Sequence, residues 1–188
     1  MFLLKQYPEY IFNFEGAVKY AWMKEYYPAQ YEEMKKFIES GRWHISGASW
    51  DATDTLVPSI ESAIRNIMLG QDYYRKEFGV ESTDIFLPDC FGFGWTLPAI
   101  ASHCGLIGFS SQKLQWRNKP FYGNDKYPFT VGLWQGIDGS TIMMTHGYDY
   151  NQRFEDGDLS ENKDLLELTG HSPLHMVYRY YGTGDIGG

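Results

Sequence analysis

The chain has 188 residues, a net charge of −8 and 43% hydrophobic residues, which suffices for one domain with a sizeable core. The acidic balance, with no basic stripe, excludes a nucleic-acid partner, and no apolar run approaches the length of a membrane span. Aromatics reach 18%, and Cys90 and Cys104 form no Cys-x-x-Cys pair, so they read as free thiols of a reducing compartment, the cytoplasm.

In chain order, Tyr10–Phe14 alternates and is aromatic, which predicts a strand ending at Glu15-Gly16. Helical spacing follows over Ala17–Tyr26, and Pro28 opens a second helix through Glu39, stopped by Gly41. Arg42–Ser46 reads as a strand leading into a polar loop with Trp50. Pro58–Phe78 is the longest helix, with Ile60, Ile64, Ile67 and Met68 on one face and Gly79 as its closing glycine. The run Ile85-Phe86-Leu87 reads as a buried strand. Thr96 is the expected N-cap of a helix over Leu97–Ala101, with Pro98 in its first turn. Leu106–Ser110 is another buried strand, and Asn118–Tyr127 is loop-like. Phe129–Trp134 and Thr141–Thr145 flank an Asp138-Gly139 turn, a hairpin signal. Gly147–Ser160 is expected to be surface loop, then a helix over Asn162–Leu168 and a last strand over His175–Tyr180. No signal peptide precedes Tyr7, and both termini read as cuts through a larger domain.

Strands alternate with helices, so the expected class is α/β with parallel construction. The residues just after each strand carry the functional information, because in a β/α barrel the strand ends converge on one mouth. These ends bring Trp50-Asp51, Asp89-Cys90-Phe91, Gln112-Lys113, His146 to Tyr150, and Gly184-Asp185. Two carboxylates there, Asp89 and Asp185, are the pair that glycoside hydrolysis needs: one attacks or supports the anomeric carbon, the other protonates the departing oxygen. Each has a plainer role open to it, as a turn or cap residue. Trp116 has a core role and a sugar-packing role equally open to it and is left out of the candidate site, and His146 is kept as a neighbour of the site.

Four segments together carry a resemblance: Arg42-Trp43 to Trp50, Ser59 through Gly70-Gln71, Leu87-Pro88-Asp89-Cys90-Phe91-Gly92, and Gln112-Lys113-Leu114-Gln115-Trp116. They resemble glycoside hydrolase family 38, the α-mannosidases, and its bacterial branch in particular, in order along nearly the whole chain. The resemblance implies a retaining α-mannosidase on a seven-stranded β/α barrel with one zinc ion, acting on mannose-containing glycans as a homo-oligomer in the full-length protein. By position Asp89 matches the nucleophile, which is also a zinc ligand, and Asp185 the general acid/base, with Ile186 where the family pattern has glycine. Phe91, Lys113 and Tyr150 match residues around the sugar, and Trp50 is expected to pack on its apolar face. The remaining zinc ligands fall outside this sequence, and none of its five histidines stands in a metal motif. Residues 1–188 are therefore expected to be an incomplete catalytic barrel domain, inactive alone. Two other readings stay open: another sugar hydrolase or deacetylase on a similar barrel, and a non-catalytic carbohydrate-binding module.

Overall fold

The computed structural model describes residues 1–115, 130–147, 159–171 and 174–178. A short helix α1 (Phe2–Gln6) precedes strand β1 (Phe12–Glu15), helices α2 (Ala17–Tyr26) and α3 (Pro28–Glu39), strand β2 (Trp43–Ser46) and the long helix α4 (Ile60–Phe78). Then come β3 (Asp84–Phe86), α5 (Leu97–His103), β4 (Gly108–Ser111), the hairpin β5 (Val131–Gln135) and β6 (Thr141–His146), and α6 (Lys163–His171). Among the described residues, pairing is parallel for β1 with β2, β3 with β4 and β4 with β6, and antiparallel across the hairpin. The gap between β2 and β3 is bridged by Asp84: its carbonyl accepts the Ala48 N–H at 2.8 Å and its carboxylate accepts the Gly47 N–H at 3.0 Å.

The helices cover one face of these strands. Phe12, Trp43 and Ile45 point into an aromatic cluster with Tyr20, Tyr31 and Tyr74. Ile85, Phe109, Ile142 and Met144 pack instead against Ile67 of α4 and Leu97, Ile100 and Ala101 of α5. Residues one place out of phase point the other way, as the two-residue period of a strand requires. Of these, Asn13, His44, Leu133 and Met143 are exposed.

The contact face of α4 differs from the expected stripe. Its buried residues are Ile67, Gly70, Gln71 and Tyr74, spaced as one side of a helix, whereas Ile60 and Met68 are exposed. Met68 lies one residue round from Ile67, on the flank of that side. The Gln71 amide forms a two-bond link to the entrance of β3: Nε2 donates to the Ser82 carbonyl at 2.6 Å, and Oε1 accepts the Ser82 N–H at 3.0 Å. Ser59 caps the helix by accepting the Ser62 N–H, and Gly79 closes it at φ 67°, where a Cβ would be strained.

Three other expectations are corrected. Thr96 occupies the N-cap position of α5, but its backbone is already helical (φ −80°, ψ −15°) and its side chain makes no capping bond. The final helix runs on to His171. Residues 175–178 are not strand; the Tyr178 N–H instead donates to Thr130 Oγ1 at 2.7 Å. The expected loop over Asn118–Tyr127 lies outside the described residues. Among the described residues no helix is long and apolar enough to cross a membrane.

The helical layer also carries a pH-dependent tie. Lys24 of α2 donates to both carboxylate oxygens of Glu77 on α4 at 2.7 Å, and the Tyr31 hydroxyl of α3 donates to Glu77 at 2.9 Å. The Lys24 bond, helped by Tyr31, holds the Glu77 carboxyl below its ordinary 4.5 against the opposing effect of burial. A depressed folded value means that the stabilisation is complete above about pH 4.5 and is lost as pH falls through the folded value. Glu77→Gln is therefore expected to cost about 0.5–1 kcal/mol at pH 7, the scale of a partly solvated ion pair, and to flatten the acid limb of the stability curve. Denaturant midpoints measured from pH 3 to 7 check this, and parallel curves for the two proteins would contradict it.

Candidate active site

Strand β3 ends in a short run of buried or half-buried residues, Leu87-Pro88, and the next residue, Asp89, emerges at the surface. Parallel pairing places the ends of β3, β4 and β6 side by side, with Phe86 opposite Ser110, Ser110 opposite Thr145, and Ser111 opposite His146. The chain leaving β4 therefore brings Lys113 next to Asp89. Its ammonium lies 2.8 Å from Asp89 Oδ1 and 5.1 Å from the centroid of the Phe91 ring. The Lys113 side chain is only 6% exposed while that of Asp89 is 59% exposed, so a nearly buried cation holds a carboxylate that still faces solvent. Phe91, itself exposed, covers the ion pair from the side.

Beneath this group lies a layer of buried polar residues: Ser110, Ser111, Gln112, Thr130 and His146. Ser111 Oγ accepts the Lys113 N–H at 3.2 Å, its carbonyl accepts the Gly147 N–H at 3.0 Å, and the Thr130 carbonyl accepts the His146 N–H at 2.9 Å. Ser110 Oγ donates to the Tyr178 hydroxyl at 3.1 Å, which draws that phenol to the end of β4. Buried polar groups need such partners, and here they gather where the strands end.

The loop carrying Asp89 is fixed from one side by the loop after β2. Cys90 Sγ donates to the Thr53 carbonyl at 3.1 Å, and Thr55 Oγ1 donates to the Gly92 carbonyl at 2.9 Å. Gly92 sits at φ 93°, and a Cβ there would lie 2.7 Å from Leu56 Cδ1. Burial pushes the Cys90 thiol up, with Asp54 and Asp89 adding negative charge nearby, so the thiol is a neutral donor here. The backbone N–H groups of Leu56 and Val57 hold the Asp54 carboxyl below its usual range.

Of the residues expected at the site, the structure brings together Asp89, Phe91 and Lys113. Asp185 and Tyr150 lie outside the described residues, as does Trp116. Trp50 is placed elsewhere. Its N–H donates to the Asn66 carbonyl at 2.8 Å and its carbonyl accepts the Val18 N–H at 2.9 Å, which pins it between α2 and α4. Its ring then meets Tyr73 edge-on at 5.8 Å, among the core aromatics rather than beside Phe91. Of the polar layer, sequence reasoning named Gln112 and His146 at the strand ends but missed Ser110, Ser111 and Thr130, and it assigned Tyr178 to a strand. Ser110-Ser111-Gln112 at the end of an apolar run was the available signal.

A zinc site requires several donors within about 2 Å of one point. Among the described residues no three His, Cys, Asp or Glu side chains gather in that way, and Asp89 Oδ1 faces an ammonium. The described residues thus contribute one carboxylate and do not by themselves fit a metal centre.

The family model for the glycosyl hydrolases family 38 N-terminal domain matches residues 1–172. The chain is 37% identical over 189 residues to alpha-mannosidase G of Dictyostelium discoideum, covering 97% of this chain and 16% of that protein. It is 30% identical over 189 residues to an alpha-mannosidase of Saccharomyces cerevisiae, covering 99% of this chain and 17% of that protein. The structure of a family 38 protein from Enterococcus faecalis superimposes with a TM-score of 0.69 at 17% identity, over 97% of this chain and 20% of that one, a likeness of fold. The chain thus spans about one sixth of the length of these two curated relatives. On the match of the domain model along nearly its whole length, the chain belongs to glycosyl hydrolase family 38, as part of the N-terminal domain.

Proposed function

We propose that the protein containing this chain is a retaining α-mannosidase that removes α-linked mannose from glycans through a covalent glycosyl-enzyme intermediate. The observation that carries this reading is the Asp89–Lys113 pair beside Phe91, at the C-terminal end of parallel strands. A carboxylate bonded to a nearly buried, fixed ammonium is held in one orientation, as an attacking group must be. Asp89 attacks the anomeric carbon while Asp185 protonates the leaving oxygen; Asp185 then takes a proton from the water that releases the sugar. Lys113, Phe91 and Tyr150 surround the sugar in this reading. Lys113 orients Asp89, and Phe91 presents an apolar surface.

The fold part of the proposal is a seven-stranded β/α barrel. The parallel order of β1–β2 and β3–β4–β6, with helices on one face and Asn13, His44, Leu133 and Met143 exposed on the other, supports it. Zinc enters only as an ion whose further ligands come from the rest of the polypeptide, and no step above uses it. The free thiols Cys90 and Cys104 support a cytoplasmic setting, and a homo-oligomer is the proposed assembly.

The test is hydrolysis of an aryl α-mannoside by the full-length protein, with the first-formed anomer followed by proton NMR. Release of α-mannose before mutarotation is expected, and the isolated 188 residues are expected to release none. First release of the β anomer would remove the covalent mechanism, and no release by the full-length protein would remove the mannosidase reading.

A further inference from the structure

We propose that Trp95 is a stacking platform for a second hexopyranose ring, so that the loop carrying the nucleophile also reads the glycan beyond the bond cleaved. The inference rests on the mannosidase reading and deepens it. Trp95 is 78% exposed, six residues beyond Asp89. A single exposed apolar side chain is ordinary on a protein surface. What sets this one apart is that the backbone beneath it is held in place. Thr55 and Cys90 bond the loop to its neighbour, Leu56 fills the space under Gly92, and the Leu97 N–H donates to the Gly94 carbonyl at 3.0 Å. Directly after Trp95 the chain enters α5, whose Leu97 and Pro98 are buried. The indole is thus presented on a rigid base, and a rigid base spares a ligand most of the ordering cost of binding.

The surroundings select the ligand class. Phe91, Leu56 and Val57 on the same pair of loops are also exposed. Apolar and aromatic groups here border the Asp54 and Asp89 carboxylates, and the chain carries a net charge of −8. An anionic partner would be repelled by that charge. A neutral sugar offers an apolar C–H face to the flat indole and hydroxyls to the polar groups around Asp89. Trp95 and Asp89 share one short loop, and the proposal assigns the platform to a ring of the same glycan on that ground.

The experiment compares the full-length protein with its Trp95→Ala and Trp95→Phe variants on an α-linked mannotriose and on an aryl α-mannoside bearing one mannose. The ratio of kcat/KM for the trisaccharide to that for the aryl glycoside is expected to fall about tenfold in Trp95→Ala and about two- to threefold in Trp95→Phe. An unchanged ratio in Trp95→Ala would overturn the platform. If the unsubstituted protein turns over neither substrate, the mannosidase reading fails separately. Calorimetric titration of mannotriose then still decides the matter: weaker binding by Trp95→Ala supports the platform, and equal binding refutes it.

Discussion

Gly70→Ala is expected to unfold the chain or to cost it about 3 kcal/mol, although alanine is the better helix former. In an exposed helix the exchange would gain about 1 kcal/mol. Here Gly70 is on the buried side of α4, and an added Cβ would lie 2.1 Å from the Ala48 carbonyl oxygen and 2.4 Å from the Ser49 carbonyl carbon. Both are backbone atoms, so no side chain can rotate away. The helix would have to move off the loop after β2, breaking the Tyr74 hydroxyl bond to the Gly47 carbonyl and the Gln71 link to Ser82. Overpacking on this scale reaches the top of its usual range and outweighs the propensity gain. Denaturant unfolding of the two proteins measures the difference; a Gly70→Ala protein as stable as its parent would contradict the close approach described for α4.

Asp89→Asn is expected to lower kcat on an aryl α-mannoside by about three orders of magnitude or more in the full-length protein, with the fold retained. The asparagine keeps the shape and one acceptor for Lys113 but has no charge with which to form the glycosyl bond. Stability should drop by only about 1 kcal/mol, since the lost pair is dry on the lysine side and open to water on the aspartate side. Fluorescence or circular dichroism separates this loss from misfolding. Asp89→Gly with added azide provides the positive control: azide can enter the vacated space, attack the anomeric carbon and yield the β-mannosyl azide. A kcat within tenfold of the parent would end the assignment of Asp89 as nucleophile. A raised KM with kcat unchanged would make it a binding residue only.

Much of the fold was legible because local chemistry and tertiary packing agree here. Ala17–Tyr26 is helix to the residue, Pro28 and Gly79 mark helix ends, and Asp138-Gly139 turns a hairpin. The errors fall where a distant part of the chain decides. Met68 looked like core by hydrophobicity, yet the position of Gly70 against Ala48 rotates α4 toward Ile67, Gln71 and Tyr74. Trp50 looked like a sugar-facing aromatic, but Asn66 and Val18 pin its backbone and turn its ring to the core. At the site, Asp89 stood out as a lone acid after an apolar strand, and Phe91 and Lys113 through the family resemblance. That Lys113 would be nearly buried against Asp89 could not be read from spacing, because it depends on the β3–β4 register.

The amide of Gln71 has a mechanical meaning. By exchanging two bonds with Ser82, it makes a helix side chain act as one more rung at the foot of β3, the strand whose far end leads to Asp89. Helix and strand are therefore geared to each other. The foot of β3 is thereby anchored by a side chain as well as by its neighbouring strand, and losing the amide would release that end of the strand from α4.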